Sequence, residues 1–150
     1  MQTIPSSKPV YLLDVDTLER VFRVDALVTG RLTRTPKEQV WISSITVEEM
    51  LGGTLSEINK AREQGANRDI EAPSRYLARL VERLRVFNIL PYTNAAEEHY
   101  RAYPAAVKRI GKMDCRLAAH AVLSGFIVVT CNTADFSRIP EAKIEDWSKG

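Results

Sequence analysis

Residues 113–136 read MDCRLAAHAVLSGFIVVTCNTADF, a helix, a stop, a buried strand and a polar loop with an acid near each end. Leu117, Ala118, Ala121 and Val122 recur at helical spacing, and Gly125 stands where a helix of this length needs a left-handed residue to stop. Phe126 to Val129 then run apolar without alternation, the pattern of a strand covered on both faces in a parallel sheet. Asp114 opens the helix and Asp135 follows the strand. A helix antiparallel to the strand it feeds brings both acids to one edge of the sheet, which is the expected site.

Outward from this stretch, apolar runs near 10–13, 40–45, 86–90 and 143–147 alternate with helical patterns. The expectation is an α/β fold: a three-layer α/β/α sandwich around a mostly parallel sheet of about five strands. Asp14 and Asp16 follow the first run, at the strand end where open α/β sheets bind ligands. Asp16 with Glu19 also fits a capping box, as does Thr46 with Glu49. Glu48 points about 100° away from Glu49 on the same helix. The segment TGRLTRTPK, 29–37, reads as a loop or frayed helix end, and GANRDIEAP, 65–73, as a turn between helices. Tyr76, Leu77, Leu80, Val81 and Leu84 form the apolar face of a helix over 75–87. Arg75, Arg79 and Arg83 line another face and, with Lys60, Arg62 and Arg68, make a basic rim. Thr93 or Asn94 starts a helix with Glu97 as capping partner, and Pro104 divides it. Lys108, Arg109, Lys112 and Arg116 gather around Asp114, which suits an anionic substrate. His99 and His120 read as packed or satisfied within helices.

A chain of 150 residues is most simply one domain, 1–150, with residues 1–9 as a frayed arm. Hydrophobic content of 45% and charged content of 27% disfavour disordered and membrane classes. There is no apolar run near the roughly 18 residues of a spanning helix, and no secretory signal. The expected compartment is the cytoplasm, where Cys115 and Cys131 stay reduced. Neither cysteine has a zinc-ligand partner at recognisable spacing. The net charge of +2 is too small to prove a polyanionic partner.

Any one acid has a plain role, because a carboxylate stabilises a helix N-terminus by roughly 0.3–1 kcal/mol. Joint placement is the stronger signal. Asp14, Glu49, Asp114 and Asp135 come from four segments assigned to one sheet edge, where uncompensated carboxylates repel. A divalent cation removes that repulsion, and an all-oxygen set suits Mg²⁺ or Mn²⁺. The reaction expected of such a centre is phosphodiester hydrolysis.

YLLDVDTL, ISSITVEEMLGG, MDCRLAAHAVLSGFIVVTCNTADFSRIP and KIEDW together resemble a PIN domain of the VapC toxin type, over almost the whole chain. The resemblance implies a Mg²⁺- or Mn²⁺-dependent endoribonuclease, a homodimer, held inactive by a cognate antitoxin protein. It assigns the four family acids, as catalytic residues and metal ligands, to Asp14, Glu49, Asp114 and Asp135. Asn132 and Thr130 would hold the metal through water or orient a phosphate, and Asp16 and Arg116 stand beside them. The first motif departs from the family's Asp-Thr-Asn, being Asp14-Val15-Asp16 here. Two other readings stay open. LLDVDTL resembles the nucleophile motif of haloacid-dehalogenase-like phosphatases, without that family's following Gly-Thr, later Lys or Gly-Asp pair. The other is a non-catalytic PIN-like domain binding RNA or protein, a role in which four acids are unfavourable for RNA.

Overall fold

A computed structural model describes residues 8–65 and 69–150. Five strands, β1 (Tyr11–Leu13), β2 (Val40–Ser43), β3 (Asn88–Leu90), β4 (Ile127–Val129) and β5 (Ile144–Glu145), pair in the order β3-β2-β1-β4-β5. Every pairing is parallel, with Leu12 opposite Trp41 on one side and Val128 on the other. The expected sandwich is therefore present, with a wholly parallel sheet.

Period-two alternation divides the core. Tyr11 and Leu13 pack with Ile42, Val129 and the helix residues Leu18, Val28, Met50, Leu80 and Leu84 on one face. Leu12 and Val128 pack with Tyr100, Ala118, Phe136 and Ile139 on the other. Helices α1 (Val15–Phe22), α2 (Ala26–Arg34), α3 (Ser44–Glu63) and α4 (Glu71–Leu84) contribute to the first layer. Helices α5 (Asn94–Arg101), α7 (Lys112–Ser124) and α8 (Thr133–Phe136) contribute to the second, with α6 (Ala105–Lys108) leading into α7. Burial on both faces explains why the central strands read as continuous apolar runs.

Several expectations are corrected. Of the two readings of residues 29–37, a helix end is nearer than a loop: 29–34 close α2, whose cap is Asp25, its Oδ1 accepting from the Leu27 and Val28 N–H groups at 3.1 Å. Helix α3 runs through Gly52 and Gly53 to Glu63. The polar loop after Thr130 contains a short helix, α8. Thr93 caps α5 by accepting from Ala96 N–H, so Glu97 is free for another role. Pro104 does divide this region, separating α5 from α6. On α4 only Leu80 and Leu84 are buried, whereas Tyr76 and Val81 remain about half exposed. Through residue 7 the expected arm lies outside the described residues, as does Arg68 of the expected basic rim. Among the described residues no helix is long and apolar enough to cross a membrane.

The stop at Gly125 matches its reading. With φ +72° it lets Gly125 N–H donate to Val122 O and Phe126 N–H to Ala121 O, the paired bonds that close a helix and turn the chain into β4. Nothing stands within 4 Å of an added Cβ there, so Gly125→Ala tests backbone strain alone. The expected loss is about 1 kcal/mol, read as a lower denaturation midpoint at unchanged slope.

Candidate functional site

Strand order reverses between β1 and β4: the chain steps outward through β2 and β3, then returns to the other side of β1. Such a switch point opens a crevice at the strands' C-terminal ends. Asp14 follows β1 and Thr130 follows β4. The Asp14 N–H extends the ladder to Val129 O at 3.1 Å. Its carboxylate caps α1, Oδ1 accepting from Thr17 N–H at 2.9 Å, and the Thr17 hydroxyl donates to Val129 O at 2.9 Å. The cap is thus Asp14 and not Asp16, which is exposed on the first turn of α1.

A second correction concerns α3. Its cap is Ser43, whose Oγ accepts from Ile45 N–H at 3.0 Å, so Thr46 lies inside the helix and the Thr46–Glu49 capping box does not form. Glu49 is left exposed, facing a groove it shares with Val15, Glu19 and Met50. Ser43 also meets His120 Nδ1 at 2.8 Å, both side chains being buried. The His120 ring also meets Tyr92 edge-on at 5.3 Å, and burial, opposed by the Pro91 backbone, holds the imidazole pKa below its usual value. This neutral ring joins α7 to the β2–α3 junction and to the segment after β3.

Asp114 sits in the first turn of α7, three residues after Gly111, whose φ of +139° only glycine adopts readily. Asp135 lies in α8, its Oδ2 accepting from Asn132 Nδ2 at 2.9 Å. Asn132 N–H donates to Thr130 Oγ1 at 2.9 Å. The Asn132 amide is therefore committed to Asp135.

The acids act on one another through space. Asp114 is pushed up to about 6, first by burial and then by Glu49, Asp14, Asp16 and Asp135. Burial, followed by Asp14, Asp16 and Glu19, raises Glu49. Asp14 is raised by burial, opposed by the Thr130 hydroxyl and the Thr17 N–H. Among the described residues none of the four acids pairs with Lys or Arg.

Two members of the expected basic group around Asp114 have partners of their own. Arg116 is held by Glu97, with Nε to Oε1 at 2.9 Å, and stacks over Tyr100 at 4.4 Å. The Lys108 ammonium donates to Arg101 O at 2.8 Å. Neither faces the acids as a free cation.

The PIN domain family model matches residues 13–142, a span that starts one residue before Asp14 and includes all four acids. The chain belongs to the PIN domain family. This sets aside the phosphatase reading. The PIN domain is 34% identical over 110 residues to the tRNA(fMet)-specific endonuclease VapC of Salmonella typhimurium, covering 71% of this chain and 74% of that one. It is 27% identical over 141 residues to Ribonuclease VapC2 of Haemophilus influenzae, covering 91% and 97%. Its fold is similar to that of the DNA-bound VapBC complex from Salmonella typhimurium, with a TM-score of 0.72, 27% identity and coverage of 93% and 99%.

Among the described residues of this PIN domain, no three His, Cys, Asp or Glu side chains converge closely enough to hold an ion as they stand. The donor chemistry nevertheless fits Mg²⁺ or Mn²⁺: carboxylate oxygens only, raised by one another, with no opposing cation. His120 is packed and satisfied within α7 as expected, whereas sequence reasoning missed Thr17, Ser43 and Gly111. Of these, only the Asp14-x-x-Thr17 spacing, which suits an Asp cap to the third N–H, carries a local signal.

Proposed function

We propose that this PIN domain is a metal-dependent endoribonuclease that hydrolyses RNA phosphodiester bonds as the toxin of a toxin–antitoxin pair. The observation that carries the reading is the trio Asp14, Glu49 and Asp114. All three are raised by burial and by neighbouring acids, without a paired cation, at the crevice between β1 and β4. The similarity to VapC ribonucleases supports RNA as the substrate.

Asp14 and Asp114 are the residues to hold Mg²⁺ or Mn²⁺, with Glu49 and Asp135 completing the set. Such an ion supplies charge stabilisation at the phosphate and a more acidic water. Thr17 and Thr130 orient Asp14 by hydrogen bonding to its carboxylate. Glu49, raised by burial and then by Asp14, Asp16 and Glu19, brings its carboxylate to that set from α3. Asn132 fixes Asp135.

The antitoxin belongs in the groove of about 630 Å³ that runs from Glu49 along α3 to α4. Val15, Met50, Pro73 and Tyr76 give it an apolar floor, and Glu19 and Glu57 an acidic margin. An amphipathic helix with flanking Arg or Lys complements it. The homodimer would cover exposed apolar side chains such as Val81, Val86 and Ile89. Cytoplasmic location belongs to the same reading.

The test is incubation of purified protein with single-stranded RNA in Mg²⁺, in Mn²⁺ and in EDTA. Cleavage is expected with either ion and none in EDTA. Cleavage that persists in EDTA overturns the metal requirement, whereas RNA binding without cleavage in any condition returns the non-catalytic reading.

A further inference from the structure

Beside the acids lies a polar pocket that they do not use. It encloses about 410 Å³ and is lined by Ile45, Glu48, Tyr92, Asn94, Glu97 and Arg116. That size falls within the roughly 300–1,000 Å³ of small-ligand sites. Two of its walls belong to the helices that carry the acids: α3 provides Glu48 next to Glu49, and α7 provides Arg116 two residues after Asp114.

The inner wall is built in advance. Glu97 accepts from Arg116 Nε at 2.9 Å, from Arg116 Nη2 at 3.4 Å and from the Tyr92 hydroxyl at 3.0 Å. Tyr100 supports the guanidinium from beneath at 4.4 Å, and His120 abuts the Tyr92 ring edge-on at 5.3 Å. Burial and then Glu97 push the Tyr92 phenol well above its usual value, so it stays a neutral donor. Arg116 Nη1 meets only Met113 Sδ, at 4.0 Å, and is available to a ligand. At the mouth, Glu48 and Asn94 are exposed and make no side-chain hydrogen bond among the described residues.

Charge selects the ligand class. The lining offers two carboxylates against one guanidinium already committed to Glu97, so a phosphate meets net repulsion. A neutral group rich in N–H donors meets an available carboxylate, an amide and an aromatic wall. Unstacked RNA bases are read in this way, along their hydrogen-bonding edges and against aromatic rings.

We propose that this pocket takes a guanine base of the RNA, from a nucleotide adjacent to the scissile phosphate. Its place in the reaction rests on the nuclease reading, while the binding itself does not. Guanine presents N1–H and N2–H side by side to the Glu48 carboxylate and its O6 acceptor to Arg116 Nη1. Adenine and cytosine offer one amino group each. Uracil offers a single N–H between two carbonyls, which the carboxylate repels.

The experiment has a metal-free arm and a cleavage arm, both on the full chain. In EDTA, guanosine and then uridine are titrated into labelled protein while the Asn94 amide and Arg116 guanidinium signals are followed by NMR. Guanosine is expected to bind at least about tenfold more tightly than uridine, with the difference lost in Glu48→Ala, whose fold is checked by its spectrum. Equal affinities, or shifts confined to other residues, overturn the proposal. In the second arm, a randomised RNA is cut and the ends sequenced. Wild type should enrich guanine at a position flanking the cut, and Glu48→Ala should lose that enrichment. Guanosine binding without any RNA cleavage sinks the nuclease reading and supports the pocket. Cleavage with no base preference beside the cut overturns the pocket and supports the nuclease.

Discussion

Asp114→Asn is expected to lower RNA cleavage by on the order of a thousandfold and, in the absence of metal, to make the protein more stable. The loss follows from removing an ion-holding carboxylate, since metal stabilisation of transition-state charge amounts to several kcal/mol and each decade of rate to about 1.4. The gain follows from the same carboxyl's raised pKa, about 6 against an ordinary 3.8. A raised carboxyl prefers its protonated form in the fold, so its ionised form costs stability wherever both folded and unfolded states are charged. That penalty is complete above about pH 6 and fades as pH falls toward 4, because the folded state then binds the extra proton. Discounted for its partial exposure, it amounts to about 1–2 kcal/mol. Thermal unfolding in EDTA at pH 7.5 should therefore give Asp114→Asn a melting temperature about 3–6 °C above wild type, with the gap narrowing at pH 5 and closing toward pH 4. A variant that loses cleavage and also melts lower in EDTA would make Asp114 a structural residue instead.

Mn²⁺ added to wild type at about a hundred times its dissociation constant should stabilise the fold by about 2.7 kcal/mol, a rise of roughly 5–10 °C in melting temperature. Asp14→Asn should abolish most of that rise. An asparagine Oδ1 can still accept from Thr17 N–H, so the α1 cap survives while the charge is lost. The comparison isolates the carboxylate's affinity for the ion from its role in the helix. An undiminished Mn²⁺ response in Asp14→Asn would remove Asp14 from the ligand set.

The parts of the fold legible in the sequence were those whose signals are local. The run Phe126–Val129 after Gly125, and the run ending at Asp14, each combine unbroken apolar character with a sharp polar or glycine boundary. Asp14 directly follows one of these runs, whereas Glu49 and Asp114 lie within helices and are assigned with the help of the family resemblance. The missed elements depend on packing. Helix α2 has one fully buried side chain, Val28, and its Thr-Gly-Arg sequence has poor helical propensity; the Asp25 cap and the Val28 contact decide it. Helix α3 runs through Gly52 and Gly53, at roughly 1 kcal/mol each, because Met50, Thr54, Ile58 and Ala61 lie buried along one stripe. Asp16 and Asp14 both fit a cap by composition, and only the direction of the chain leaving β1 chooses between them. The Ser43–His120 bond spans 77 positions and the Thr17–Val129 bond 112, distances over which no periodicity carries information.

That last bond also bears on when the site comes into being. Asp14 and Thr17 are made long before β4, Thr17 preceding Val129 by 112 positions, yet the crevice they line has no second lip until β4 docks against β1. Closing so long a loop is costly in chain entropy, which puts completion of the crevice late in folding. A nascent chain interrupted between residues 114 and 127 carries Asp14, Glu49 and Asp114 without β4, the strand that pairs with β1. The strand order thus acts as a timer, withholding the closed crevice until β4 has been made.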